Sequence, residues 1–398
     1  MSDAVVIVGA GLAGYNLARE LRKASADLPI VVVSQDGAGF YSKPMLSNAL
    51  ASGKTAATLV MKSAEKMAEE LRARVLPRTR VTQLDAHAQS LTLDSGEVLR
   101  YRDLVLAVGA DPVRLPLQGD GADAVLSVND LDDFARFAQA LETGAAGQPA
   151  QRVVILGGGL IGCEFANDLL ARGVQPTVVD VADRVLARLL PAEASDRLQA
   201  QLQAAGTQFK LGAGVLAVRR VDRGLSVDLA DGSTLTADLV VSAVGLKPRT
   251  ELAAMAGAAL GRGVQVNRLL STSVPHVHAL GDCAEVEGQW LPYVMPLMQQ
   301  ARALAATLAG TPTPVSYPVM PVVVKTPAWP TVVCPPPTEA AGQWEVNASD
   351  ESLEARFVSA ASAGPAGALL GFVLQGKAVS QRQAWVAQVT VHPVAPTA

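Results

Sequence analysis

Twice in this chain a run of β-branched residues breaks into glycines and then into a helix-forming stretch. "AVVIVGAGLAGYNLARELR" spans Ala4–Arg22, and "VVILGGGLIGCEFANDL" spans Val153–Leu169. Each contains G-x-G-x-x-G: Gly9, Gly11 and Gly14 around Leu12 and Ala13, then Gly157, Gly159 and Gly162. The first glycine of such a set permits a tight turn. The second lets the backbone approach a pyrophosphate, and the third lets helix pack on strand. The helix start then presents free N–H groups and the positive end of its dipole to phosphate. Both sets stand in a strand–helix–strand context, with "IVVVS" closing the first at Ser34 and a second strand closing the other at Asp180. The chain therefore reads as two dinucleotide cradles.

The order of elements around the cradles also repeats. A hairpin turns at Asp94-Ser95-Gly96 in the first half and at Asp231-Gly232 in the second, and each half ends in a buried strand finishing Ala-Val-Gly, at Gly109 and Gly245. Helices are expected near 63–72, 131–141 and 192–204. "FYSKPMLS" reads as an irregular stretch fixed by Pro44, and 144–151 as a loop. From about 313 the texture changes: "TPTPVSYPVMPVVVKTPAWPTVVCPPP" is too rich in proline for helix and favours edge strands. The fold class is α/β, with two Rossmann-like dinucleotide-binding domains and a small α+β C-terminal domain whose last residues, "HPVAPTA", read as frayed.

Composition narrows the function. Of 398 residues 49% are hydrophobic and 18% charged, as in a packed globular protein, and the net charge of −4 argues against nucleic acid as a partner. No basic leader or 18-residue apolar run is seen, which predicts a cytoplasmic protein without membrane insertion. The three cysteines, Cys163, Cys283 and Cys334, lie far apart and suit a reducing compartment. No C-x₄-C or C-x-x-C occurs, so neither a redox disulfide nor an iron site of the chain's own is expected.

Each cradle needs an acid for the adenosine ribose. Asp180 ends its strand 21 residues after Gly159, the spacing of a carboxylate that bonds a ribose 2′-OH. It predicts NADH over NADPH, with Arg184 and Arg188 downstream pulling toward a 2′-phosphate. At the end of the other strand Ser34, Gln35 and Asp36 compete, and Asp36 is the candidate.

With "LVLAVGA", "HVHALGDCAEV" and "FYSKPMLS", the chain resembles the two-dinucleotide flavoprotein reductases, whose relatives include glutathione reductase. The resemblance implies FAD in the first cradle and NAD(H) in the second, with the NAD domain (113–244) inserted between two segments of the FAD domain (1–112 and 245–312), and 313–398 following. It implies that Asp282 holds the ribityl or phosphate part of FAD. Lys43 would stand near the flavin and Glu164, facing it, would pair with Lys43, the two serving as the catalytic residues. Read without that resemblance, Asp282 is a turn or cap residue, Lys43 a solvated lysine and Glu164 a dipole-favoured acid at a helix start.

A wider set, "GLAGYNLARE", "YSKPMLS", "GLIGCEFANDL", "LVVSAVGLKPRTEL", "YVMPLM" and "VKTPAWP", resembles the rubredoxin–NAD reductase branch of that family over nearly the whole chain. This implies rubredoxin as electron acceptor, Lys325 and Val294 along the flavin ring and Val81 on the adenine side. On the residues alone, the two valines read equally as core and Lys325 as a strand-edge gatekeeper. Trp329 departs from the pattern, where a smaller residue is expected; it would shield the flavin or reshape the partner surface. Ferredoxin reductase, NADH oxidase and a non-enzymatic redox sensor remain open as alternatives, and the pathway stands between alkane oxidation and oxygen defence.

Overall fold

The computed structural model describes residues 4–144, 147–337, 339–360 and 367–390; the "HPVAPTA" tail and part of the 144–151 loop lie outside them. Val5–Val8 is buried at every position, as expected of a strand covered on both faces. It centres a parallel five-stranded sheet in the order Val277–Ala279, Asp103–Leu106, Val5–Val8, Ile30–Val33, Arg74–Leu76. The second fingerprint strand centres another, in the order Gln208–Leu211, Gln175–Asp180, Arg152–Leu156, Leu239–Ser242, Leu126–Ser127. Because Val277–Ala279 returns to the first sheet from beyond the second, one Rossmann-like unit interrupts the other. The crossing is a short antiparallel pair, Ala110–Pro112 with Leu246–Pro248.

The helices expected from sequence form at Ala64–Leu71, Leu131–Thr143 and Ala192–Ala204. Ser63 and Asp130 cap the first two by accepting the N–H of Lys66 and Asp133. A further helix, Val294–Leu308, packs on Leu12–Ala24 beneath the first cradle. The C-terminal part is a five-stranded antiparallel sheet in the order Val322–Val324, Thr331–Cys334, Leu369–Gly376, Ser352–Ser359, Gly342–Ala348, followed by the short helix Arg382–Val386. Val322–Val324 is an edge strand between Pro321 and Pro327, as residues without an N–H require. Among the described residues no helix is long and apolar enough to cross a membrane.

Two features depart from the sequence reading. "FYSKPMLS" is not irregular: Lys43–Asn48 is a 3₁₀ helix with Pro44 in its first turn, where a missing N–H loses no bond. Its packing is also not that of its neighbours in sequence. Leu46, Ala49, Leu50 and Leu59 join Phe134, Phe137, Phe165 and Leu169 in the core of the second unit, although the chain around them builds the first.

Candidate functional site

The two glycine turns are built alike. Gly9 and Gly157 have φ of +119° and +106°, where a side chain strains the backbone. A Cβ on Gly14 would stand 1.9 Å from Gly9 O, and one on Gly162 would stand 1.9 Å from Gly157 O. These four glycines serve the fold. Gly11 and Gly159 differ: a Cβ on either meets nothing within 4 Å, so their lack of a side chain keeps space open. Neither helix start receives a side-chain cap, which leaves its first N–H groups free for a ligand. Both cradles thus fit a dinucleotide pyrophosphate.

One cavity of about 3640 Å³ runs past both. From the first cradle Gly9, Gly11, Leu12, Ala13 and Gly109 line it, and from the second Gly157, Gly159, Asp180 and Gly245. Gly14 and Gly162 stand behind it, packing helix to strand. Val81 touches the cavity while 8% exposed, so it serves core and cleft together. Val294, 38% exposed, opens the Val294–Leu308 helix at the cavity wall. Asp36, Lys43, Glu164, Asp282 and Lys325 also line the cavity.

The register distinguishes the strand ends. Val33 pairs with Val8 and Val179 with Leu156, each partner directly preceding its glycine turn. Ser34 is therefore the counterpart of Asp180, and Asp36 lies two residues further on. Asp180 Oδ2 accepts the Gly158 N–H at 2.5 Å and Oδ1 that of Ala182 at 2.7 Å, holding the carboxylate over the turn. Asp36 instead accepts the Ser34 hydroxyl at 2.7 Å and the Ala38 N–H at 2.8 Å. It lines the cavity edge, but Ser34 occupies the position expected for Asp36.

The expected Lys43–Glu164 pair does not form. Glu164, 1% exposed, pairs with Lys325: Nζ lies 2.6 Å from Oε2, and the Lys325 N–H donates to Oε1 at 3.0 Å. The Ser47 hydroxyl also donates to Oε2, at 2.5 Å. Lys325 Nζ further donates to Ser47 Oγ and Pro44 O, so the knot ties three parts of the chain. With both oxygens of Glu164 filled, Lys43 turns to Asp282, with Nζ 3.8 Å from Oδ2. Burial pushes the Lys43 pKa down, Asp282 opposes this, and Arg249 adds to the lowering.

Several contributors are not among the residues named from sequence. Ser47 is one. Asp168, one turn after Glu164, accepts the N–H of Leu50 at 3.0 Å and of Ala51 at 2.8 Å. Burial pushes its carboxyl pKa up and these bonds oppose the shift. Two acids at i and i+4 on a largely apolar helix are a readable sign of buried polar work. The Gly281-Asp282 turn is held from two sides, by Gln300 Oε1 accepting the Gly281 N–H at 2.7 Å and by the Trp290 indole donating to Asp282 O at 2.8 Å. Trp329 does not line the cavity; it packs with Leu198 and Leu202 of the second unit, with the Arg197 guanidinium 5.2 Å from its ring centroid. The three cysteines are buried and unpaired, and burial pushes Cys163 up to about 12 and Cys283 and Cys334 up to about 11.

Known proteins share this arrangement. Residues 3–305 match the family described as pyridine nucleotide-disulphide oxidoreductase, and residues 314–389 match a rubredoxin binding C-terminal domain. The chain is 47% identical to a rubredoxin-NAD(+) reductase of Alcanivorax borkumensis, covering 95% of this chain and 96% of that one. It is 44% identical to a protein of the same name from Acinetobacter baylyi, over 95% of each. A ferredoxin reductase structure from Rhodopseudomonas palustris superposes with a TM-score of 0.86 at 28% identity, covering 100% of this chain and 98% of that one. With the doubled cradle, the interrupted first unit and the single cleft all in place, this chain belongs to the pyridine nucleotide-disulphide oxidoreductase family.

Proposed function

We propose that the chain passes electrons from NADH through FAD to the iron centre of a rubredoxin. The observation that carries this is the single cleft: both cradles open into it, and Lys325 and its neighbours in the region matched as rubredoxin binding form part of its wall. The family uses FAD and NAD(H). FAD, when bound, supplies the exchange between a two-electron hydride donor and a one-electron iron acceptor.

The chain's own residues would divide the work as follows. Gly9, Gly11 and the N–H groups opening at Leu12 and Ala13 hold the FAD pyrophosphate, Ser34 faces the adenosine ribose with Asp36 behind it, and Asp282 serves the ribityl or phosphate part. Val81 supports the adenine side. Lys43 places positive charge beside the flavin, where it would stabilise added electron density. Gly157, Gly159 and the helix start after them hold the NADH pyrophosphate, and Asp180 accepts the ribose 2′-OH while repelling a 2′-phosphate. Lys325 and Val294 line the flavin side, with Glu164 holding the Lys325 ammonium. Gly109 and Gly245 let the backbone turn at the cleft floor. The buried, unpaired thiols favour direct transfer to an outside acceptor rather than through a disulfide. A cytoplasmic location belongs to the same reading.

Ferredoxin as acceptor is the competing reading, drawn from the ferredoxin reductase that superposes along the whole chain. The 314–389 match weighs against it. Stopped-flow reduction of rubredoxin by NADH with catalytic amounts of this protein, beside a plant-type ferredoxin and oxygen alone, separates the two. Fastest turnover with rubredoxin is expected. Faster turnover with ferredoxin, or none above the oxygen rate, overturns the reading.

A further inference from the structure

Two carboxylates on the helix Leu160–Leu170, Glu164 and Asp168, are each 1% exposed. Four residues apart, they share one face of the helix. That face meets the 43–51 segment, which in sequence lies between strands of the other Rossmann-like unit. Glu164 takes the Ser47 hydroxyl at 2.5 Å; Asp168 takes the N–H of Leu50 at 3.0 Å and of Ala51 at 2.8 Å. Around these bonds Leu46, Ala49 and Leu50 pack on Phe165 and Leu169. A carboxylate this buried persists because charge-assisted donors satisfy it, and its bonds are correspondingly strong.

The segment begins at Lys43. We infer that Asp168 is a positioning residue for Lys43: it fastens the Lys43–Ala51 segment to the NAD-binding unit and so fixes where the ammonium stands relative to both cradles. Asp168 is not among the cavity-lining residues, so it acts through the segment and not on a bound molecule. Two independent contacts carry this assignment, the paired N–H donors and the shared apolar core. It explains why a segment of the FAD-binding unit is anchored on a helix of the other: the anchor at Leu50 and Ala51 sets the place of the segment from whose start Lys43 Nζ reaches Asp282 at 3.8 Å. The inference rests on the proposed place of Lys43 beside FAD.

The test uses FAD-loaded protein in four forms: Asp168→Ala, Asp168→Asn, Lys43→Met and the double variant Lys43→Met/Asp168→Ala. In Asp168→Ala, amide exchange at Leu50 and Ala51 is expected to rise by about tenfold or more while Val153–Leu156 keeps its protection. The flavin midpoint potential is expected to move in the direction it moves in Lys43→Met. The double variant is expected to move no further than Lys43→Met alone, since both changes act on one ammonium. Asp168→Asn retains an acceptor oxygen and is expected to fall between wild type and Asp168→Ala; it carries the test should the alanine variant fail to fold. Exchange that is unchanged, or that rises equally in Val153–Leu156, overturns the inference. So does a potential moved by Lys43→Met but not by Asp168→Ala, or effects that simply add. A potential unmoved by Lys43→Met overturns the role of Lys43 itself, a separate failure that takes the positioning claim with it.

Discussion

Two lysine–carboxylate pairs line the cleft, and they are built differently. Lys325 and Glu164 meet at 2.6 Å, with the carboxylate 1% exposed and further bonds from Ser47 and the Lys325 backbone. Lys43 and Asp282 stand 3.8 Å apart, with side chains 34% and 18% exposed. The first pair is satisfied from several sides and ties the C-terminal sheet to both dinucleotide-binding units. The second is open on the cleft side and leaves charge available to a ligand. Identical chemistry is therefore enclosed in one place and open in the other, and the number of bonds around each carboxylate makes the difference.

The largest expected effect breaks the tie. Glu164→Ala leaves the Lys325 ammonium without its opposite charge, with only Ser47 Oγ and Pro44 O as acceptors, and should lower stability by about 3–5 kcal/mol, as losing one partner of a buried pair does. Asp282→Ala, measured beside it by urea denaturation of FAD-free protein, should lose no more than about 1 kcal/mol. Equal losses would erase the distinction between the pairs.

The cradles allow a second contrast. Gly14→Ala and Gly162→Ala force a methyl against backbone oxygen and should lose about 1–3 kcal/mol of stability, read as a fall in melting temperature without ligand. Gly11→Ala and Gly159→Ala have open space at that point and should leave that temperature unchanged while weakening dinucleotide binding. A uniform fall across all four would refute the division between glycines that serve the fold and glycines that serve the ligand.

Between the cradles the strand-end residues differ, Asp180 against Ser34. Asp180→Ala should reduce the preference for NADH over NADPH by about tenfold in kcat/KM, roughly 1.4 kcal/mol. An unchanged ratio would assign the discrimination elsewhere, with Arg184 and Arg188 the next residues to vary.

Among the changes to the two lysine–carboxylate pairs the smallest stability effect belongs to Lys43→Met, expected at under about 1 kcal/mol because the pair is long and partly open. Its functional effect should nonetheless be plain: slower flavin reduction by NADH and a lower flavin potential. If stability falls as steeply as for Glu164→Ala, the Lys43 pair is a structural tie as well.

The sequence by itself determined what short-range rules govern. A tight turn, a close helix–strand contact and a buried strand each restrict residue type within a few positions, so both fingerprints, the repeated order of elements and the acid at Asp180 were legible. The proline-dense C-terminal stretch announced its edge strand for the same reason. Only the tertiary structure decided the rest. Whether Lys43 or Lys325 reaches Glu164 depends on how three parts of the chain close on one another, and Lys325 lies 161 residues from its partner. Ser34, Gln35 and Asp36 are consecutive candidates in sequence, and only strand register separates them. The apolar residues at 46–59 mark a core without saying which, because a leucine buried against its own sheet and one buried against another domain's helix have the same pattern. Asp168 owes its place to Leu50 and Ala51 N–H groups, backbone atoms that every sequence supplies and no sequence singles out.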